Sequence, residues 1–197
     1  MNTPQKSNPT RRIQQLALTC LALLVAVFVL SVPRISAAAT AAEIDRDVNS
    51  ALQTLYRTTP AAKKLAKVAR GILVFPDVVK AGLIVGGQYG EGALRVGGKT
   101  TGYYNTVAAS YGLQAGAQSF GYAMFFLDDA SLQYLNKSEG WEVGVGPSVV
   151  VVDKGVARSL TTSTAKSGIY AFIFKQEGLM AGIGIQGSKI TKITPEK

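Results

Sequence analysis

Beyond Gly71 the chain is spelled in short runs of β-branched and aromatic residues mixed with glycine and other small residues: ILVFP, VKAGLIVGG, GALRVGG, TTGYYNTVAAS, YGLQAGAQSFGYAMFF, WEVGVGPSVVVVD, KSGIYAFIFK and GLMAGIGIQG. Turn-forming residues separate these runs, so each reads as a strand or a pair of strands. So many short strands can bury their apolar faces only by curling into one sheet or barrel. One helical interruption is expected, DDASLQYLNK, where Asp128 or Asp129 can cap a short helix carrying Leu132 and Leu135.

Helical signals precede the strands. From Ala41 to Tyr56 the apolar residues Ile44, Val48, Leu52 and Leu55 recur at helical spacing, and Glu43, Asp45 and Asp47 sit in the first turn, where they suit the helix dipole. Thr59-Pro60 then restarts a helix, with threonine as N-cap and proline at the first helical position, and PAAKKLAKVARG is expected to run to a stop at Gly71. The fold class is therefore α+β: N-terminal amphipathic helices packed on a strongly curved antiparallel β-sheet or small β-barrel crossed by one short helix.

The stretch VGGQYGEGALRVGG, Val85–Gly98, spaces Gly87, Gly90 and Gly92 in a way that approaches a phosphate-binding loop. Such a loop must open a helix, whose N-terminal N–H groups hold the phosphate. ALRVGGKTTGYY follows with no helical period, which removes that reading. A hairpin is expected instead, with VKAGLIVGG running out, QYGEG turning and ALRVGG returning. The pairs Gly144 and Gly146, Gly182 and Gly184, and Gly112 and Gly116 read as interior strand glycines that serve tight curvature and close helix packing, with a ligand cavity against that face as the alternative.

The first residues have a different character. Lys6, Arg11 and Arg12 precede the uncharged run LALTCLALLVAVFVL, and Ala37-Ala38-Ala39 supplies an A-x-A cleavage pattern. Residues 1–39 read as a signal peptide for general export, with an uncleaved membrane anchor as the alternative. A single domain is expected over residues 40–197, helical over 41–70 and mainly β over 72–193. Four of the 21 basic residues and none of the 12 acidic ones precede Thr40, which leaves this domain 17 basic residues and a net charge of +5. An exported basic protein meets anionic membrane surface more readily than nucleic acid.

Much chemistry is missing. The chain has no histidine, and its one cysteine, Cys20, lies in the apolar leader run. Ser-His-Asp arrangements, thiolate metal sites, cysteine nucleophiles and disulfides are excluded from the domain. Asp128-Asp129 reads as a helix cap, Glu139 and Glu142 flank Trp141 at a solvated strand entrance, and Gln114 and Gln118 read as a solvent-facing row. No catalytic residue, metal or cofactor is assigned, and a non-enzymatic role is expected.

A binding surface is better marked. At about 100° per residue, Lys63, Lys64, Lys67 and Arg70 fall within one arc of roughly 120°, with Leu65, Val68 and Ala69 opposite. A basic, amphipathic helix of this kind suits either a solvated outer face or the headgroups of anionic lipid.

The order KKLAKVARGILVFPDVVKAGLIVGGQYGEGALRV, GYYNTVAASYGLQAGAQ and FGYAMFFLDDASLQYL resembles the SYLF domain, a family of eukaryotic actin-regulating proteins and many exported bacterial members. The resemblance spans about Leu55 to Ile193. It implies binding to membrane lipid, partly through a basic N-terminal segment that corresponds here to Lys63, Lys64, Lys67 and Arg70. Tyr104-Asn105-Thr106 stands where many members carry tryptophan-serine-proline, and no peptide-binding domain is appended within this sequence. With the export signal, these departures take actin out of the expected partners and leave anionic phospholipid. The expected function is a lipid- or membrane-surface-binding module of the periplasm or cell envelope. The alternatives are a structural or partner-binding envelope protein and an integral outer-membrane barrel, the latter opposed by strands without sustained polar and apolar alternation.

Overall fold

The computed structural model describes residues 39–82, 85–111, 116–137, 140–152, 168–178 and 187–196, with Ala157, Leu160, Thr161, Ala165 and Ile185 between them. Residues 1–38, nearly all of the expected signal peptide, lie outside the described residues. One compact unit covers Ala38–Lys197.

Helix α1, Ala41–Thr58, opens on a capping box: the Thr40 hydroxyl accepts from the Glu43 N–H, and the Glu43 carboxylate accepts from the Thr40 N–H at 2.9 Å. Ile44, Val48, Ala51 and Leu55 are buried along one side. Helix α2 is shorter than the sequence predicts and covers only Pro60–Leu65. Proline sits in its first turn as expected, but the Thr59 side chain caps nothing. The Ala66 N–H reaches both the Ala62 and Lys64 carbonyls, the tightening that ends a helix, and Arg70 N–H is drawn to the Phe126 carbonyl at 2.8 Å. Gly71 thus begins a strand rather than ending a helix.

Eight strands follow: β1 Gly71–Gly82, β2 Val85–Val96, β3 Lys99–Tyr111, β4 Gly116–Phe126, β5 Trp141–Glu142, β6 Val149–Val152, β7 Ile169–Gly178 and β8 Lys189–Ile193. Helix α3, Asp129–Lys137, lies between β4 and β5. The strands form one strongly curled open sheet, a half-barrel, in the order β5-β8-β3-β2-β1-β4-β7-β6. The α+β class with a curled sheet is observed. The sheet is mixed rather than wholly antiparallel, because β6 runs parallel to β7. A parallel pair requires a crossover of about a dozen residues or more, and the chain between Val152 and Ile169 provides it.

The hairpin falls elsewhere than expected. Gly82 pairs with Gly86, so β1 and β2 reverse next to Val85, and Gln88–Gly92 lies inside β2. The glycines there serve a bend. In β1 the ladder slips between Val74 and Asp77 against β2 and between Phe75 and Val78 against β4. Pro76 sits in that slip, where a central strand can spare its N–H. On one side a Cβ at Gly92 would fall on the Val74 carbonyl oxygen; on the other, a Cβ at Gly121 would meet the Phe174 ring at 2.5 Å and the Pro76 carbonyl at 2.9 Å. Three adjacent strands therefore bend at one level because their side chains are missing or cyclic. Gly144 and Gly146 are not interior strand residues: they have positive φ, 106° and 88°, in the loop after β5. Gly112, Gly182 and Gly184 lie outside the described residues.

The central strands are apolar on both faces, as buried sheets require. On the α1 face, Ile44, Val48, Leu55 and Leu65 pack with Ile72, Val74, Ala93, Ala123, Phe125 and Phe172. On the opposite face Leu73, Phe75, Phe120, Tyr122, Met124 and Phe126 pack with Trp141, Ile190 and, from α3, Leu132 and Leu135. Each fully buried large side chain contributes roughly 1.5–3 kcal/mol. Val68, expected on the apolar side of α2, is 46% exposed in the turn that follows it.

Candidate functional site

The four basic residues singled out by sequence are held by two different local structures. Lys63 and Lys64 project from α2, whose other side is anchored by buried Ala61, Ala62 and Leu65. Lys67 belongs to the turn after the helix, closed by Lys67 N–H to Lys64 carbonyl at 3.2 Å. Arg70 immediately precedes β1. All four side chains are exposed. They are neighbours along the chain, but the continuous helical arc read from the sequence does not exist beyond Leu65.

Their electrostatic surroundings also differ. Arg70 Nε lies 3.6 Å from Asp129 Oδ1, an exposed pair that contributes little to stability. Lys63, Lys64 and Lys67 make no ion pair among the described residues. Three uncompensated ammonium groups and one partly satisfied guanidinium therefore stand where the helical segment joins the sheet. Such a patch attracts anions through charge and imposes no geometry, since lysines act as point charges on flexible stems.

The acidic candidates resolve into structural work. Asp128 Oδ1 accepts the Ser131 N–H at 2.7 Å, capping α3, and Oδ2 accepts the Gly168 N–H at 2.5 Å, tying the start of β7 to the helix. Partial burial pushes its carboxyl upward, but the N–H bonds from Ser131, Gly168 and Ala130 outweigh this and hold it below its ordinary value. Asp129 faces Arg70. Glu142 is exposed on β5, and Glu139 lies outside the described residues. No group of acidic residues suited to a metal ion occurs among the described residues.

The glutamine reading needs correction. Gln118 is buried, 6% exposed, and its Oε1 makes no hydrogen bond, while Gln114 lies outside the described residues. Strict alternation in β4 puts Gln118 beside Phe120 and Tyr122 on the face opposite α1, which is why it is enclosed. That face holds further buried polar groups invisible to sequence patterning. The Tyr122 hydroxyl donates to Thr106 Oγ1 at 2.8 Å, and Gln88 Nε2 donates to Ser188 Oγ at 3.3 Å. Enclosure raises the Tyr122 phenol far above its ordinary range, so it serves as a neutral hydrogen-bond donor.

Asp45 was missed as a functional contact of another kind. It accepts from Thr100 Oγ1 at 2.6 Å and from the Tyr103 hydroxyl at 3.1 Å, and it faces Arg95 Nη2 at 3.4 Å, clamping α1 to the sheet. The one signal for it in the sequence is its place two residues after the capping-box glutamate, on the side of Ile44 and Val48.

Among the described residues no helix is long and apolar enough to cross a membrane. In comparison with known proteins, the chain matches no family model, and no curated protein aligns with it.

Proposed function

We propose that the chain is a non-enzymatic, SYLF-like module of the cell envelope that binds anionic lipid at a membrane surface, after export directed by residues 1–39. One observation carries this reading: Lys63, Lys64 and Lys67 are exposed, make no ion pair among the described residues, and stand with Arg70 on a segment whose apolar side is locked into the core. The fold thus supports a cationic surface that need not rearrange to meet a partner. Near an anionic leaflet each such cation contributes on the order of 1 kcal/mol, giving weak, reversible attachment. Screening over about 8 Å at physiological salt makes that attachment fall steeply as salt rises.

The test is flotation of the protein with vesicles of phosphatidylglycerol and phosphatidylcholine. Replacing Lys63, Lys64, Lys67 and Arg70 together by glutamine should leave the fold intact and abolish flotation at moderate salt. Flotation equal to wild type, or indifferent to salt, would overturn the proposal. Intact mass of protein recovered from the envelope tests the export step: a chain beginning near Thr40 is expected, and retention of residues 1–39 would point to an anchor.

A further inference from the structure

Glu91 carries a charge that no cation balances among the described residues. It lies half-buried in β2, where its Oε1 accepts from the Tyr89 hydroxyl at 2.6 Å and its Oε2 accepts from the backbone N–H of Ala39 at 3.1 Å. Directly across the β2–β3 ladder stands Asn105, whose Oδ1 is buried and makes no hydrogen bond among the described residues. A partly enclosed carboxylate is held better by a charged donor than by neutral ones. The site has acceptors to spare and lacks a positive group.

The nitrogen that Glu91 holds is one that processing can charge. Ala39 packs against the core of the α1 face, Thr40 bridges to Glu196, and the Ala41 N–H donates to the Glu196 carbonyl at 3.3 Å, so the chain just before α1 is seated on the domain. Two pairs of small residues end the leader, Ser36-x-Ala38 and Ala37-x-Ala39, and either suits a cleavage site. A cut after Ala39 removes the N–H that Glu91 accepts. It also leaves the new ammonium on Thr40, the N-cap of α1, at the positive end of the helix dipole, where a cation is disfavoured. A cut after Ala38 instead turns the Ala39 nitrogen, already 3.1 Å from Glu91, from an amide with one N–H into an ammonium with three donors and a full charge.

We propose that the chain is processed between Ala38 and Ala39, and that Glu91 is the built-in receptor for the α-ammonium this creates. The inference rests on the export reading above and sets its boundary one residue before the one that Ala37-x-Ala39 suggests. Around the new terminus stand Glu91 and Tyr89 from β2, Asn105 from β3, Glu43 from α1 and, bonded through its backbone, Glu196 after β8. Partial burial and the bond to Glu91 push the Tyr89 phenol up to about 12, so it stays a neutral donor while the amine titrates. The ionised neighbours are all carboxylates, with Glu91 in contact. An α-amine ordinarily titrates at about 7.7–8.0, and a carboxylate in contact raises that by about one pH unit or more. A folded value above the unfolded one means that the pair strengthens the fold below about pH 8 and stops doing so as pH rises through the folded value. Before cleavage the nitrogen is an uncharged amide, so the ion pair belongs to the processed chain alone.

Cells expressing the full chain supply the protein, which is weighed intact and then labelled with trace acetic anhydride across a pH series, in buffer and in urea. Trypsin releases the first peptide, Ala39–Arg46, which contains no lysine, so its label reports the α-amine alone. The expected mass is that of a chain starting at Ala39. The labelling midpoint should lie about one pH unit higher in buffer than in urea, or about tenfold slower labelling at neutral pH, and Glu91→Gln should return it to the urea value. Shielding of the nitrogen slows labelling equally at every pH and leaves the midpoint in place, so a merely structural bond to Glu91 does not mimic the result. A processed chain that begins at Thr40, or at any residue but Ala39, overturns this proposal and leaves export standing; a chain that retains residues 1–38 overturns both. An Ala39 start with the same midpoint in buffer and urea, or a raised midpoint that Glu91→Gln leaves unchanged, overturns the receptor role. The comparison of buffer with urea needs only the wild type, so it decides even where the variant is not recovered.

Discussion

Replacing Asp45 by alanine separates two accounts of how α1 is held. If Asp45 acts only on the helix dipole, its contribution is about 0.3–1 kcal/mol, and alanine's higher helix propensity returns about 0.5 kcal/mol of that. The net change would be near zero. The contacts argue for more. The carboxylate accepts two hydroxyl bonds, from Thr100 at 2.6 Å and Tyr103 at 3.1 Å, and faces Arg95 at 3.4 Å, with side-chain exposures of 34% for Asp45 and 12% for Arg95. Hydrogen bonds to a charged group contribute about 1.5–3 kcal/mol when well buried; a third of exposure reduces each to about 1 kcal/mol, and the ion pair adds about 1 kcal/mol. Arg95 keeps Asn49 Oδ1 at 2.9 Å and the Asp45 carbonyl at 3.2 Å, so its charge is not orphaned and the cost stays below the 3–5 kcal/mol of a broken buried pair.

After the propensity gain, Asp45→Ala should destabilise the domain by about 2.5 kcal/mol, or lower its Tm by about 5–10 °C for a chain of this size. Urea unfolding followed by fluorescence of Trp141, the only tryptophan and a core residue, measures this directly. Asp47→Ala is the control, since Asp47 is also acidic and near the helix start but is exposed and, among the described residues, forms an ion pair only with its neighbour Arg46. A loss below about 0.5 kcal/mol for Asp45→Ala, or a loss equal to that of Asp47→Ala, would refute the clamp and restore the dipole account.

Gly92→Ala should cost more than about 4 kcal/mol or abolish folding, because its Cβ would fall on the Val74 carbonyl, whereas Gly87→Ala meets open space and should change stability by less than about 0.5 kcal/mol; soluble yield and melting temperature of the pair check this. Leu65→Ala should cost about 2–5 kcal/mol as a core truncation and Val68→Gln almost nothing, in the same urea assay. Asp128→Asn should cost about 1–2 kcal/mol at neutral pH: asparagine can still cap α3 through Oδ1, but its amide nitrogen cannot accept the Gly168 N–H, and the charge of the acceptor is lost. Because the folded carboxyl titrates below its unfolded value, that contribution is present above about pH 4 and is lost as pH falls through the folded value, so wild type and variant should converge in acid; a constant difference down to about pH 2 would refute it.

The α+β class, the start of α1 and the placement of α3 were legible because they rest on local signals: a Thr40–Glu43 capping pair, helical spacing of Ile44, Val48 and Leu55, and a capping Asp128 before Leu132 and Leu135. The end of α2 was not, since PAAKKLAKVAR keeps helical composition throughout, and only the demand that Arg70 N–H meet the Phe126 carbonyl turns the chain into β1. QYGEG reads as a turn from composition, yet its glycines answer a bend set by Pro76 on the neighbouring strand, a contact no local window contains. Gln118 failed for a similar reason. Its polarity argued for solvent, while alternation from Phe120 and Tyr122, once the sheet had both faces covered, carried it inward. The basic residues were found as residues, but their grouping came from a helix that stops at Leu65 and so rests on a turn instead.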